Sequence, residues 1–149
     1  MLEPFYGGSR SYAPVETALP GIRTPQDLYR ALLHCWCAET CAPRMRHHWT
    51  PENPTWGQCS ITSFLCQDLF GGVVRGVPLE NGGVHCFNEI GGVAFDLTSE
   101  QFGEKELNYV NCPEQDRATH FAMDTKQERY FLLWRLLREY LRTEGGQNG

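Results

Sequence analysis

Residues 57–72 read GQCSITSFLCQDLFGG, and the reading of this stretch decides the fold. Ile61, Leu65 and Leu69 recur at every fourth position and Phe64 joins them, which is the stripe of a helix buried along one face. Gly71-Gly72 stops the pattern, because glycine takes up the left-handed backbone that closes helices. At the other end a loop hands Cys59 to the first turn. The spacing predicts a helix from Cys59 to Phe70 with a thiol at its N-terminus.

That placement has chemical consequences. The unpaired N–H groups and positive dipole end of a helix start stabilise a thiolate, and the thiolate is the nucleophilic form of cysteine. The same N–H groups can receive a developing oxyanion. Gly57 is read as leaving space for a substrate backbone. Gln58 is a candidate oxyanion donor, with satisfaction of the loop backbone as its alternative role. The plain alternative for Cys59 is a small buried residue packing at a helix start.

Downstream lies a β region. Val73–Val77 is a short strand, Asn81-Gly82-Gly83 a turn, and Val84–Ile90 and Val93–Leu97 flank Gly91-Gly92 as a hairpin. Parity then places the chemistry. Residues opposite each other in an antiparallel pair share a face, and so do i and i+2. With any even-length turn at Gly91-Gly92, His85 and Asp96 fall on one face; a three-residue turn would separate them. A carboxylate beside an imidazole sets its tautomer and supports its charged form. Asn88 falls on the opposite face from His85 and reads as a structural hydrogen-bonder or an auxiliary site residue. Singly, His85 reads as a structural histidine and Asp96 as a cap for the turn at Thr98-Ser99.

Working outward, residues 1–23 are rich in Gly, Pro, Ser and Tyr and form an irregular arm anchored through Phe5, Tyr6 and Tyr12. A helix starts at Thr24-Pro25, an N-cap type followed by a residue suited to the first helical position. Leu28, Ala31, Leu32, Cys35 and Trp36 extend its apolar face, so its end is expected near Glu39–Cys41. Residues 42–57 hold three prolines among polar residues and are read as loop. A short helix is expected at Ser99–Phe102. The last helix is expected from Thr125 to Arg142, with Tyr130, Leu133, Trp134, Leu137 and Leu141 buried. The chain is thus read as a single domain over 1–149, with an arm at 1–23, a core at 24–142 and a disordered polar tail at 143–149.

The bulk numbers agree with a globular domain. The chain has 149 residues, 41% hydrophobic and 21% charged, with a net charge of −5. No Lys/Arg run points to nucleic acid or an anionic membrane. No apolar run approaches the ~18 residues of a membrane span, and the N-terminus does not have the pattern of a signal peptide, so a cytoplasmic location is expected. Seven cysteines in such a compartment are expected to be free thiols. His34, Cys35, Cys37 and Cys41 make a poor metal set: on a helix Cys35 and Cys37 point about 200° apart. No metal or other cofactor is called for.

Asn53-Pro54-Thr55, Gly57-Gln58-Cys59, Gln67-Asp68-x-Phe70-Gly71-Gly72, His85-x-x-Asn88 and Asp96-Leu97-Thr98-x-x-Gln101-Phe102 follow one another in an order that resembles the YunG-like family of small bacterial proteins. Where that family usually carries a Tyr-Trp pair after its His, this chain has Cys86-Phe87. The order Cys, His, Asp also resembles the papain-like superfamily, in particular its transglutaminase-like branch. That resemblance implies Cys59 as nucleophile, His85 as base and Asp96 as its orienter. The fold expected is α+β: three main helices on an antiparallel sheet of three to five strands, papain-like in its core. The expected function is thiol-dependent hydrolysis or acyl transfer on an amide or ester, in a substrate such as a peptide or protein. The alternatives are a non-catalytic binding or regulatory module on the same scaffold and a redox-sensing thiol protein.

Overall fold

A computed structural model of the chain describes residues 3–123 and 125–148. Met1, Leu2 and Gly149, the extremes of the expected arm and tail, lie outside the described residues. The architecture is mixed α+β, a three-stranded antiparallel sheet with helices packed on it. Helix α1 (Pro25–Leu32) opens with a reciprocal cap: Thr24 Oγ1 accepts from Asp27 N at 3.1 Å, and Thr24 N donates to Asp27 Oδ2 at 3.0 Å. It ends at Leu32, well before Glu39–Cys41. The next residues form tight turns, with His34 N bonded to Ala31 O and Cys35 N to Leu32 O. The reason is tertiary. Trp36 Nε1 donates to Thr62 Oγ1 at 2.9 Å, which pulls the chain off the helix axis. His, Cys and Trp have too little helix propensity to resist.

Helix α2 occupies Cys59–Phe70 as the pattern predicts. The strands are β1 (Val73–Pro78), β2 (Val84–Ile90) and β3 (Val93–Phe95), in the order β1-β2-β3. Gly91 and Gly92 have φ of 58° and 81°, the two consecutive positive values of a two-residue hairpin turn, and Ile90 pairs with Val93. Strand β3 stops at Phe95, short of Leu97. Its continuation is taken by the N-terminal arm, since Asp96 N donates to Tyr6 O at 3.0 Å.

One face of the sheet receives α2, α4 (Lys126–Asn148) packs on α2, and α1 packs on α4. Leu28, Leu32, Ile61, Leu65, Phe95, Leu133 and Leu137 are fully buried there. Each such side chain stabilises the fold by about 1.5–3 kcal/mol. On the other face Val77, Phe87 and Cys112 form a smaller cluster with Tyr109 beside it. Helix α4 continues to Asn148, past Arg142, where Gly145-Gly146 suggested an end and a disordered tail. Glycine costs ~1 kcal/mol per residue in a helix, far less than the proline that would break one.

Two further elements escaped the pattern. A 3₁₀ turn spans Pro43–His48 within the expected loop. Helix α3 (Arg117–Phe121) is capped by Asp116, whose carboxylate accepts from Thr119 N at 2.9 Å. Its Arg117 reaches Asp68 at 2.5 Å and stacks over Phe64, Phe121 and Tyr130. Among the described residues no helix is long and apolar enough to cross a membrane. All seven cysteines are free thiols.

Candidate active site

Cys59 is the first residue of α2, and the loop before it explains how it gets there. Gly57 has φ of +72°, and a Cβ there would stand 2.4 Å from Cys41 Sγ. Ala42 N donates to Gly57 O at 3.0 Å, so the glycine serves the close approach of two loops rather than space for a substrate. Gln58 is fully buried, and its Nε2 donates to Cys37 O at 3.1 Å. Its Oε1 has no hydrogen-bond partner among the described residues. The amide donor that could have faced an oxyanion is thus committed to the loop.

A single buried hydrogen bond sets helix against strand. Asn88 Nδ2 donates to Ser63 O at 2.9 Å. Close contact between Gly72 and Glu89–Ile90 at the far end shows that α2 and β2 run the same way. Moving back one turn from Ser63 climbs four residues, about 6 Å, to Cys59. Moving back two residues along β2 covers about 6.6 Å and reaches Cys86 on the same face as Asn88. Cys59 therefore stands over Cys86, and both belong with the α2-side core. Strand β3 no longer covers β2 at this level.

His85 and Asp96 are each 1% exposed and meet with Nε2 2.6 Å from Oδ2. Asp96 has further donors. Tyr109 O–H reaches Oδ2 at 2.7 Å, and Thr98 gives its N–H and Oγ1–H to Oδ1 at 3.1 and 3.3 Å. A carboxylate so loaded accepts, so Nε2 keeps its hydrogen and Nδ1 is the nitrogen left to gain or lose a proton. Gln101 Nε2 lies 3.4 Å from Nδ1, and Phe102 packs edge-on against the ring.

The charges separate one thiol from the rest. Cys59 is held well below the ordinary thiol range, first by the hydrogen bond from the Cys86 S–H, then, against its burial, by the charge and hydrogen bond of His85. Burial opposes a charge on His85, but the Asp96 carboxylate and the Cys59 thiolate outweigh it and raise the imidazole to about 10. Cys86 is pushed up by donating to Cys59 and by burial. Burial alone raises Cys66 and is the main cause that takes Cys35 to about 12. The arrangement can present a thiolate and an imidazolium side by side.

The structure thus brings Cys59, His85 and Asp96 together, while Gln58 and Asn88 are turned to Cys37 and Ser63. Sequence reasoning missed Tyr109 as a partner of Asp96, for it sits in a stretch without periodicity and gave no signal. It also missed Cys86, which strand alternation puts on the other face from His85; only the Asn88–Ser63 alignment brings it under Cys59. Beyond Cys86 lies His120, whose Nε2 is 4.0 Å from Cys86 Sγ and whose Nδ1 accepts from Lys126 Nζ at 2.9 Å. Among the described residues no group of three His, Cys, Asp or Glu is placed to hold a metal ion.

The profile of the family described as YunG protein matches residues 24–142. A Bacillus subtilis (strain 168) protein named "Uncharacterized protein YunG" is 39% identical over 82 residues, covering 55% of this chain and 68% of that protein. No solved structure matches.

Proposed function

This chain belongs to the YunG family, and on that premise we propose that it carries out thiol-dependent hydrolysis or acyl transfer on an amide or ester, on a papain-like core of the transglutaminase-like kind. The observation that carries the reading is the buried 2.6 Å contact of His85 with Asp96, placed beside a thiol held low at a helix start. A buried carboxylate and imidazole beside a partly exposed thiol, in that order, are what nucleophilic acyl chemistry needs.

In this reading the Cys59 thiolate attacks the carbonyl carbon, and the oxygen takes the negative charge facing the Cys59 backbone N–H. The tetrahedral species collapses to a thioester as the His85 imidazolium hands its Nδ1 proton to the leaving amine or alcohol. His85, neutral again, takes a proton from water or an acceptor amine, which attacks the thioester and frees Cys59. Asp96 stays ionised throughout and holds Nε2–H, so that Nδ1 remains the working nitrogen.

One observation favours the alternative of a binding module: Gln58 spends its donor on Cys37 O and offers none to an oxyanion. Acyl trapping decides between the two. Incubation with activated esters should leave a mass adduct on Cys59 that neutral hydroxylamine removes, with product released faster than in buffer. A Cys59→Ala variant should give neither. Folded wild-type protein that forms no thioester and releases product at the buffer rate overturns the enzymatic reading.

A further inference from the structure

Cys86 has no part in the acyl mechanism beyond lowering the Cys59 thiol, yet it is fully buried. The helix–strand alignment fixed by Asn88 and Ser63 brings these two thiols, of the seven, to one level on facing surfaces. Both sulfurs lie in the α2-side core, and Cys59 is the half-exposed member. We propose that Cys59 and Cys86 form a peroxide-sensing pair, in which a hydroperoxide oxidises Cys59 and Cys86 closes a reversible disulfide that switches the site off. The proposal rests on the reading of Cys59 as a reactive thiolate.

The chemistry balances in two steps. The Cys59 thiolate attacks the terminal oxygen of the hydroperoxide; the O–O bond breaks, Cys59 becomes a sulfenic acid, and the alcohol or water leaves with a proton. The Cys86 sulfur then attacks Cys59 sulfur, the S–O bond breaks, and a second water leaves with the Cys86 proton. Two thiols and one hydroperoxide thus give one disulfide, one alcohol or water, and one water. A dithiol reductant reverses the result.

The surroundings favour this order of events. Cys86 is unreachable from solvent, so the sulfenic acid above it is its natural partner. Its proton is held on by the neighbouring Cys59 thiolate, a charge that vanishes once Cys59 is oxidised. The Lys126 ammonium on the far side then favours the Cys86 thiolate. Cys66 lies two turns further along α2 and is too distant to compete.

The test uses the reduced, full-length protein and hydrogen peroxide at neutral pH, followed by blocking with iodoacetamide and peptide mapping without reductant. The expected product is a linked pair joining Cys59 and Cys86, with loss of Cys59 labelling that dithiothreitol restores. In Cys86→Ser, where the hydroxyl keeps a donor, Cys59 should instead accumulate sulfenic acid trapped by dimedone and advance to sulfinic acid. Wild-type protein that carries Cys59 to sulfinic acid with Cys86 free, or joins Cys59 to another cysteine, overturns the switch. If Cys59 labels rapidly before peroxide and no link forms, the switch alone fails. If Cys59 labels no faster than the buried thiols, the reactive-thiolate reading fails and the switch with it.

Discussion

At the residue scale the chemistry turns on which nitrogen of His85 exchanges its proton. Asp96 takes Nε2–H and is itself braced by Thr98 and Tyr109, so the tautomer is set by four donors converging on one carboxylate. Asp96→Asn should keep most of those contacts yet present an amide where Nε2–H needs an acceptor. Reactivity or turnover per folded molecule should drop by roughly two to four orders of magnitude. Circular dichroism on the same sample separates that loss from unfolding; an unfolded variant whose residual folded fraction keeps full Cys59 reactivity would make Asp96 a cap. A pH effect follows as well. The folded imidazole sits at about 10 against an ordinary 6.5, so its contribution to stability is whole below 6.5 and is lost as pH rises through 10. Urea unfolding of wild type and His85→Gln across that range should show the two curves converging at high pH. His85 and Asp96 were legible as a pair because side-chain alternation is a rule of parity. Tyr109 was not, since nothing in residues 103–115 carries a period.

At the element scale the hairpin and the α2–β2 clamp do the positioning. The two-residue turn is what puts His85 and Asp96 on one face. Inserting one glycine between Gly91 and Gly92 shifts the register by one residue and should send Asp96 to the other face. The expected outcome is a folded protein whose Cys59 labels like an ordinary thiol at neutral pH; undiminished labelling would show that the parity argument does not govern the pair. Asn88→Ala should cost about 1–3 kcal/mol in thermal or urea unfolding, the loss of a buried amide bond across the interface. A change near zero would mean that packing alone aligns α2 with β2. The boundaries of α2 and of the hairpin were readable because apolar period and glycine pairs agree there. The end of α1 was not, because Trp36 continues the helical stripe in sequence while its indole is claimed by Thr62 in space.

At the scale of the whole molecule, activation of one thiol among seven is a property of the fold. Helix α4 closes the core over α2, and Leu137 is fully buried in that contact. Leu137→Ala should therefore destabilise the protein by about 2–5 kcal/mol. It should leave the Cys59 labelling rate per folded molecule unchanged, since the groups that lower that thiol are Cys86 and His85. The α+β architecture was legible from the order of periods along the chain, whereas the place of α3 and the pairing of the arm with Asp96 depend on contacts no local pattern announces. The central claim is that Cys59 is a thiolate at neutral pH because Cys86 and His85 hold it so. The most direct measurement is the iodoacetamide labelling rate of each of the seven cysteines against pH, in folded wild type, in folded His85→Ala and in urea. The account predicts that folded wild-type Cys59 labels fastest and keeps a flat rate through neutral pH, whereas in His85→Ala and in urea its rate climbs only toward the ordinary thiol value of about 8.5. A folded wild-type Cys59 that labels no faster than the other thiols, or follows the same pH curve with and without His85, would contradict it.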